Sequence, residues 1–138
     1  EEGGGFTTID LLALQRPTGA GTLYKYGAAP SYLKRGGCVT RVTGQSLPAG
    51  LQQGADGPES TRLSLPAGSF FVMVSDGVAD ETDDEWLQNL MAGWSGQSAE
   101  ALASLILSES RTRRGLRDDC AVLVLHLPKM EDSPPRQV

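Results

Sequence analysis

Five consecutive apolar residues, Phe70-Phe71-Val72-Met73-Val74, break off abruptly at Ser75-Asp76-Gly77. An apolar run of strand length without polar alternation marks a strand covered on both faces. Shorter extended patterns surround it. Phe6 to Leu14 and Thr22 to Tyr26, separated by the turn residues Arg16-Pro17-Thr18-Gly19, read as one hairpin; Ser31 to Lys34 and Cys38 to Val42, around Arg35-Gly36-Gly37, read as a second. Gln45 to Pro58 has no sustained period and reads as a loop before a short strand near Thr61 to Leu65. Ala121 to Leu127 predicts another buried strand, stopped by Pro128.

Between the last two strands the period becomes helical. Thr82 and Glu85 are spaced as a capping box ahead of Trp86, Leu87, Leu90 and Met91. A second helix is expected from Ser98 to about Arg113, with Ala101, Leu102, Leu105 and Ile106 as its buried stripe and Gly115 as its end. Hairpins, then two helices, then a strand give an α+β layout dominated by antiparallel pairing. Strict βαβα alternation, GxGxxG and the P-loop pattern are all missing, which argues against a doubly wound nucleotide fold.

With 138 residues, the chain has the size of one domain. Its 12 Lys and Arg against 17 Asp and Glu give a net charge of −5. That balance argues against a nucleic-acid or anionic-lipid surface and suits a cation or a basic partner. Cys38 and Cys120 lie 82 positions apart with no CxxC pair, which excludes a zinc knuckle or a dense disulfide scaffold and suits a reducing compartment. No apolar stretch approaches the roughly 20 residues needed to span a bilayer.

Two acidic features carry the chemistry. Asp76 ends a rigid strand, and Gly77 removes steric bulk so that a ligand or cation can approach the main chain. Asp118-Asp119 opens the last strand 42 residues later. If that strand lies antiparallel beside Phe70 to Val74, Asp118 falls near Asp76, and a cation between them relieves their repulsion. Carboxylate-only sites favour hard ions such as Mg²⁺ or Mn²⁺, which activate water and polarise phosphoryl oxygens. The plainer readings are an Asp that caps its own turn and a solvated acidic turn. Asp10, the nearest third acid, is expected to face solvent from inside a strand.

Other polar residues have plain structural readings alongside functional ones. Lys25, Lys34 and Arg35 could steer an acidic partner, while a charged hairpin edge that blocks sheet aggregation accounts equally for Lys34 and Arg35. The arginines from Arg111 to Arg114 suit a helix C-terminus first and phosphate recognition second. His126 is expected to be a satisfied or outward-facing ring, Cys120 a small core residue, and Trp86 and Trp94 packing for the helical layer.

Five segments, in order, resemble the phosphatase domain of the stage II sporulation protein E family, within the metal-dependent PP2C-like (PPM) serine/threonine phosphatases. They are Phe6-Thr7-Thr8-Ile9-Asp10-Leu11, the run from Tyr24 to Gly36, Ser46-Leu47-Pro48-Ala49-Gly50, Met73-Val74-Ser75-Asp76-Gly77, and Arg111-Thr112-Arg113 through Asp118-Asp119. The resemblance implies an αββα sandwich of two antiparallel sheets flanked by helices, here without the family's N-terminal part. It spans residues 1–128, with 129–138 expected to be a disordered tail. Asp76 matches the acid of the family's Asp-Gly metal motif and Asp118 the first acid of the motif before the last strand; both would hold one ion and serve catalysis. Asp119 would be a supporting or substitute ligand, and Gly77 and Gly27 would contribute backbone near the site. The implied cofactors are two Mn²⁺ or Mg²⁺ ions in the complete domain. Water activated between them would hydrolyse a phosphoserine on an anti-anti-sigma factor, in control of sporulation sigma factor activation.

This chain departs from the family at Cys120-Ala121, where Met-Thr or Met-Ser is usual, and the family's earlier Asp-Gly motif lies upstream of anything matching Phe6. The segment alone is therefore expected to be a weak catalyst. The resemblance further implies a cytoplasmic domain, in a family whose parent protein carries membrane spans, with no nucleic acid and no direct membrane contact by this segment; a homodimer is left open. The rival reading is a noncatalytic regulatory module that binds a protein partner on the same fold. A phosphoacceptor receiver domain also clusters acids around Mg²⁺, but the order of elements here is wrong for it.

Overall fold

A computed structural model describes residues 7–16, 18–27, 29–43, 59–115 and 119–129. The chain runs β1 (Ile9–Leu14), β2 (Ala20–Tyr26), β3 (Ser31–Arg35), β4 (Cys38–Val42), β5 (Glu59–Ser64), β6 (Phe70–Val74), α1 (Glu85–Gly93), α2 (Ala99–Arg114) and β7 (Val122–His126). Every strand pairing is antiparallel, in one sheet of order β1-β2-β5 and another of order β4-β3-β6-β7. The expected loop from Gln45 to Pro58 and the tail beyond Lys129 lie outside the described residues.

The unbroken apolar run of β6 is explained by its place in the layers. Phe70, Val72 and Val74 pack with Trp86, Leu87, Met91, Leu102 and Ile106 of the helices, while Phe71 packs with Leu23, Leu33 and Leu65 toward the three-stranded sheet, and Met73 lies against that cluster. Successive side chains point to opposite faces of a strand, so a strand between two cores needs apolar residues throughout. Among the described residues both helices lie on the four-stranded sheet.

Three expectations change in the structure. β7 is an edge strand rather than a fully buried one: Leu123 is 63% exposed because no described strand continues the sheet beyond it. The α2 stripe is Leu102, Ile106 and Ser110, with Ala101 and Leu105 exposed; the i, i+4, i+8 line follows where β7 and the Val78 turn contact the helix, not where the apolar residues are densest. Thr82 does not cap α1. Its amide and hydroxyl both donate to Asp80 Oδ1, at 2.8 and 2.6 Å, and the helix starts after Asp84. The ends of α2 are as expected, with Ser98 accepting from the Ala101 amide at 3.1 Å and Gly115 closing it at φ 72°.

Candidate functional site

The antiparallel β6–β7 pair places Val74 opposite Val122, so the end of one strand meets the start of the other. Beyond the ladder the two segments remain clasped. The Ser75 amide donates to the Ala121 carbonyl at 3.0 Å, the Ala121 amide to Ser75 Oγ at 2.9 Å, and the Ser75 hydroxyl to the Asp119 carbonyl at 3.4 Å. Cys120 Sγ donates to the Gly77 carbonyl at 3.4 Å. The turn after Ser75 is closed by the Val78 amide on the Ser75 carbonyl at 2.9 Å and is rooted by the fully buried Val78 and Ala79. Asp76 therefore stands exposed on a turn whose two ends are fixed. Asp119 is also exposed, on the facing segment, whereas Asp118 lies outside the described residues.

A second polar group occupies the same end of the sandwich. Asp10 pairs across from Lys25 in register, and both side chains point inward, sharing parity with Leu12, Leu14 and Leu23. Lys25, 2% exposed, donates to Asp10 Oδ1 and Oδ2 at 2.7 and 2.8 Å, to the Ala29 carbonyl at 2.8 Å and to Ser31 Oγ at 3.1 Å. Ser31 pairs with Met73 in the other sheet, and Asp10 lines a cleft of about 500 Å³ together with Met73 and Leu123. The bond to Ala29 closes the loop in which Gly27 turns at φ 59°, so Gly27 leaves the sandwich at the end from which Asp76 leaves it.

Asp10 is thus not a solvent-facing acid, and Lys25 is not available to steer a partner: each is the other's counter-charge. Lys34 is also buried, on the helix side of the central strand β3; its ammonium donates to the Gly36 carbonyl, and burial lowers its pKa. Only Arg35 of the three is exposed. His126 stacks on Phe70 at 3.9 Å with Nδ1 3.0 Å from the Ser69 carbonyl, and Trp94 meets Phe70 edge-on, so both serve packing. Cys120 is half-buried against the helical core.

Two further acids emerge only in three dimensions. Asp84 is buried and accepts from the Tyr32 hydroxyl at 2.8 Å, from Arg41 at 3.1 Å and from Gln88 at 3.2 Å. Burial, reinforced by the bond to Asp84, drives the Tyr32 pKa far upward, and the same carboxylate raises that of Arg41. Asp80 sits below the usual carboxylate range, chiefly because the Thr82 hydroxyl and then its amide donate to it, with Arg114 adding a smaller effect. No local pattern signals the Asp84 network, since its partners come from β3, β4 and α1. The Asp10–Lys25 pair did leave a signal: each charged residue keeps the parity of its strand's inward leucines.

The donors at the Asp76 end are oxygen atoms: the carboxylates of Asp76 and Asp119 and nearby main-chain carbonyls. That set fits a hard divalent ion. Among the described residues no three acids, cysteines or histidines stand close enough together to enclose one.

Two antiparallel sheets with helices on one of them match the fold of PP2C-like phosphatase domains. The catalytic domain of the serine/threonine phosphatase PstP, solved in complex with two manganese ions, has the same fold, with TM-score 0.63 and 18% identity over 85% of this chain and 56% of that one. The phosphatase domain of SpoIIE from Bacillus subtilis, in a crystal form without domain swapping, aligns with TM-score 0.74 and 30% identity over 95% of this chain and 59% of the solved one. The stage II sporulation protein E (SpoIIE) family profile matches residues 1–128, and the chain belongs to that family. It is 31% identical over 129 residues to stage II sporulation protein E of Bacillus subtilis strain 168, spanning 88% of this chain but only 16% of that protein. No helix among the described residues is long and apolar enough to cross a membrane.

Proposed function

We propose that this chain forms one side of a metal-dependent protein serine phosphatase, with Asp76 and Asp118 as ligands of a Mn²⁺ or Mg²⁺ ion and Asp119 in support. The observation that carries the reading is the clasp between Ser75 and Ala121, which lays the Asp76 turn against the segment that follows Asp118. A bound ion of this kind activates water for attack on phosphorus and screens the phosphoryl charge. The chain's own part is to keep the acids still. The β6–β7 ladder and the buried Val78 and Ala79 fix the Asp76 backbone, so the main chain that carries the carboxylate need not be ordered when an ion binds. Gly77 is buried with its carbonyl accepting from Cys120 Sγ, and the Lys25–Ala29 bond holds the Gly27 loop at the same end. The substrate we assign is a phosphoserine on an anti-anti-sigma factor, in the control of sporulation sigma factors, and the two-ion site belongs to the complete domain, of which residues 1–128 are the C-terminal portion.

Turnover of such a phosphoprotein with Mn²⁺ tests the assignment. In the full-length protein, Asp76→Asn or Asp118→Asn should each lower turnover about 100-fold or more, equivalent to about 2.7 kcal/mol or more of transition-state stabilisation. The 138-residue segment alone should be much slower than the full-length protein. Unchanged turnover in both variants would overturn the roles of Asp76 and Asp118, and no turnover in the unmodified full-length protein would leave a noncatalytic partner-binding module as the better reading.

A further inference from the structure

Arg114, the last residue of α2, reaches from the helix end to the turn that carries Asp76. One guanidinium nitrogen donates to the Asp76 carbonyl at 2.9 Å; the other meets Asp80 Oδ2 at 3.2 Å and Asp83 Oδ2 at 3.3 Å. The two carboxylates are 47% and 61% exposed, so these ion pairs add little stability by themselves. Their effect is geometric. They hold the planar fork at one edge while its other edge is spent on a main-chain carbonyl, an arrangement that a single ammonium point charge does not reproduce.

The chain path gives this contact its meaning. Gly115 turns the backbone out of α2 at φ 72°, and by Asp119 the chain is already beside Ser75. Arg114 is thus four residues before Asp118 in sequence and hydrogen-bonded to Asp76 in space. It ties the end of α2 to the Asp76 turn, and the Ser75–Ala121 clasp ties that turn to the segment entering β7. The neighbouring Arg113 is engaged elsewhere, with Glu109 at 3.1 Å and over the Trp86 ring at 5.5 Å.

Resting on the reading of Asp76 as a metal ligand, we infer that Arg114 is a positioning residue that fixes the main chain of Asp76 and so the affinity of the site for a divalent cation. Mn²⁺ titration of the full-length protein without substrate, with free Mn²⁺ read by electron paramagnetic resonance, tests this independently of turnover. Arg114→Ala should weaken Mn²⁺ binding about 10- to 100-fold, the usual effect of losing a group that orients a ligand. Arg114→Lys, which keeps the charge at the helix end and guards against a misfolded alanine variant, should weaken it similarly. Asp80→Asn combined with Asp83→Asn frees the fork but spares the bond to the Asp76 carbonyl, so its loss should be smaller. Wild-type affinity in a folded Arg114→Lys protein, with affinity lost in Asp76→Asn, would overturn the role of Arg114. Wild-type affinity in Asp76→Asn would instead overturn the ligand reading, and the inference with it.

Discussion

Asp10 and Asp76 stand at the same end of the sandwich, yet the fold treats them in opposite ways. Asp10 faces inward, and a lysine directly opposite in the neighbouring strand neutralises it. Asp76 has its backbone held at both ends of a turn while its carboxylate is exposed. One acid is part of what holds the two sheets together; the other is presented. An acid at a strand end suits ligand binding when its main chain is fixed and its charge is not already matched, and no property of aspartate itself separates the two cases.

The largest expected effect breaks the first half of this comparison. Lys25→Ala leaves a buried carboxylate without its partner and should destabilise the fold by about 3–5 kcal/mol, read as a shift in the denaturant midpoint. Replacing both members, Asp10→Leu with Lys25→Met, should recover most of that loss, since removing a buried pair together is often neutral. If the double variant is as unstable as the single one, the lysine's bonds to Ala29 and Ser31 matter more than its charge pairing.

A smaller effect concerns the loop between the Asp76 turn and α1. The folded protein holds the Asp80 pKa below its ordinary 3.8. A depressed carboxylate contributes stability that is present above the unfolded value and lost as pH falls through the folded one. Thr82→Ala removes the first cause of that depression, so stability at neutral pH should fall slightly, the acid limb of the stability–pH curve should flatten below about pH 4, and the two curves should converge at low pH. A curve parallel to the wild type at acid pH would show that the Thr82 bonds do not shift Asp80.

The smallest effect sharpens the second half. Asp76→Asn should alter thermal stability by less than about 0.5 kcal/mol, as for exposed surface changes, even though it removes metal affinity. A large stability loss would mark Asp76 as a structural acid after all.

Local chemistry was readable wherever a few adjacent residues satisfy one another. The Gly36-Gly37 hairpin, the doubly covered β6, and the Ser98 and Gly115 limits of α2 all follow from short-range rules, and the structure contains each of them. Thr82 and Glu85 matched a capping pattern, but Asp80 two residues earlier offered Thr82 a nearer acceptor, and α1 began later. Ala101 and Leu105 are apolar yet exposed, because the neighbour that α2 meets selects Leu102, Ile106 and Ser110.

By itself, the order of residues determined the strands, the helices and the two acidic segments, because backbone geometry, turn residues and side-chain alternation act over a few positions. Only the tertiary structure decided which charges are matched and which are presented. Asp10 against Lys25, Asp84 against Tyr32 and Arg41, and Arg114 against the Asp76 carbonyl each join residues at least 15 positions apart. Whether such groups meet depends on strand pairing and layer packing, and the free energy of a charge depends on what it meets.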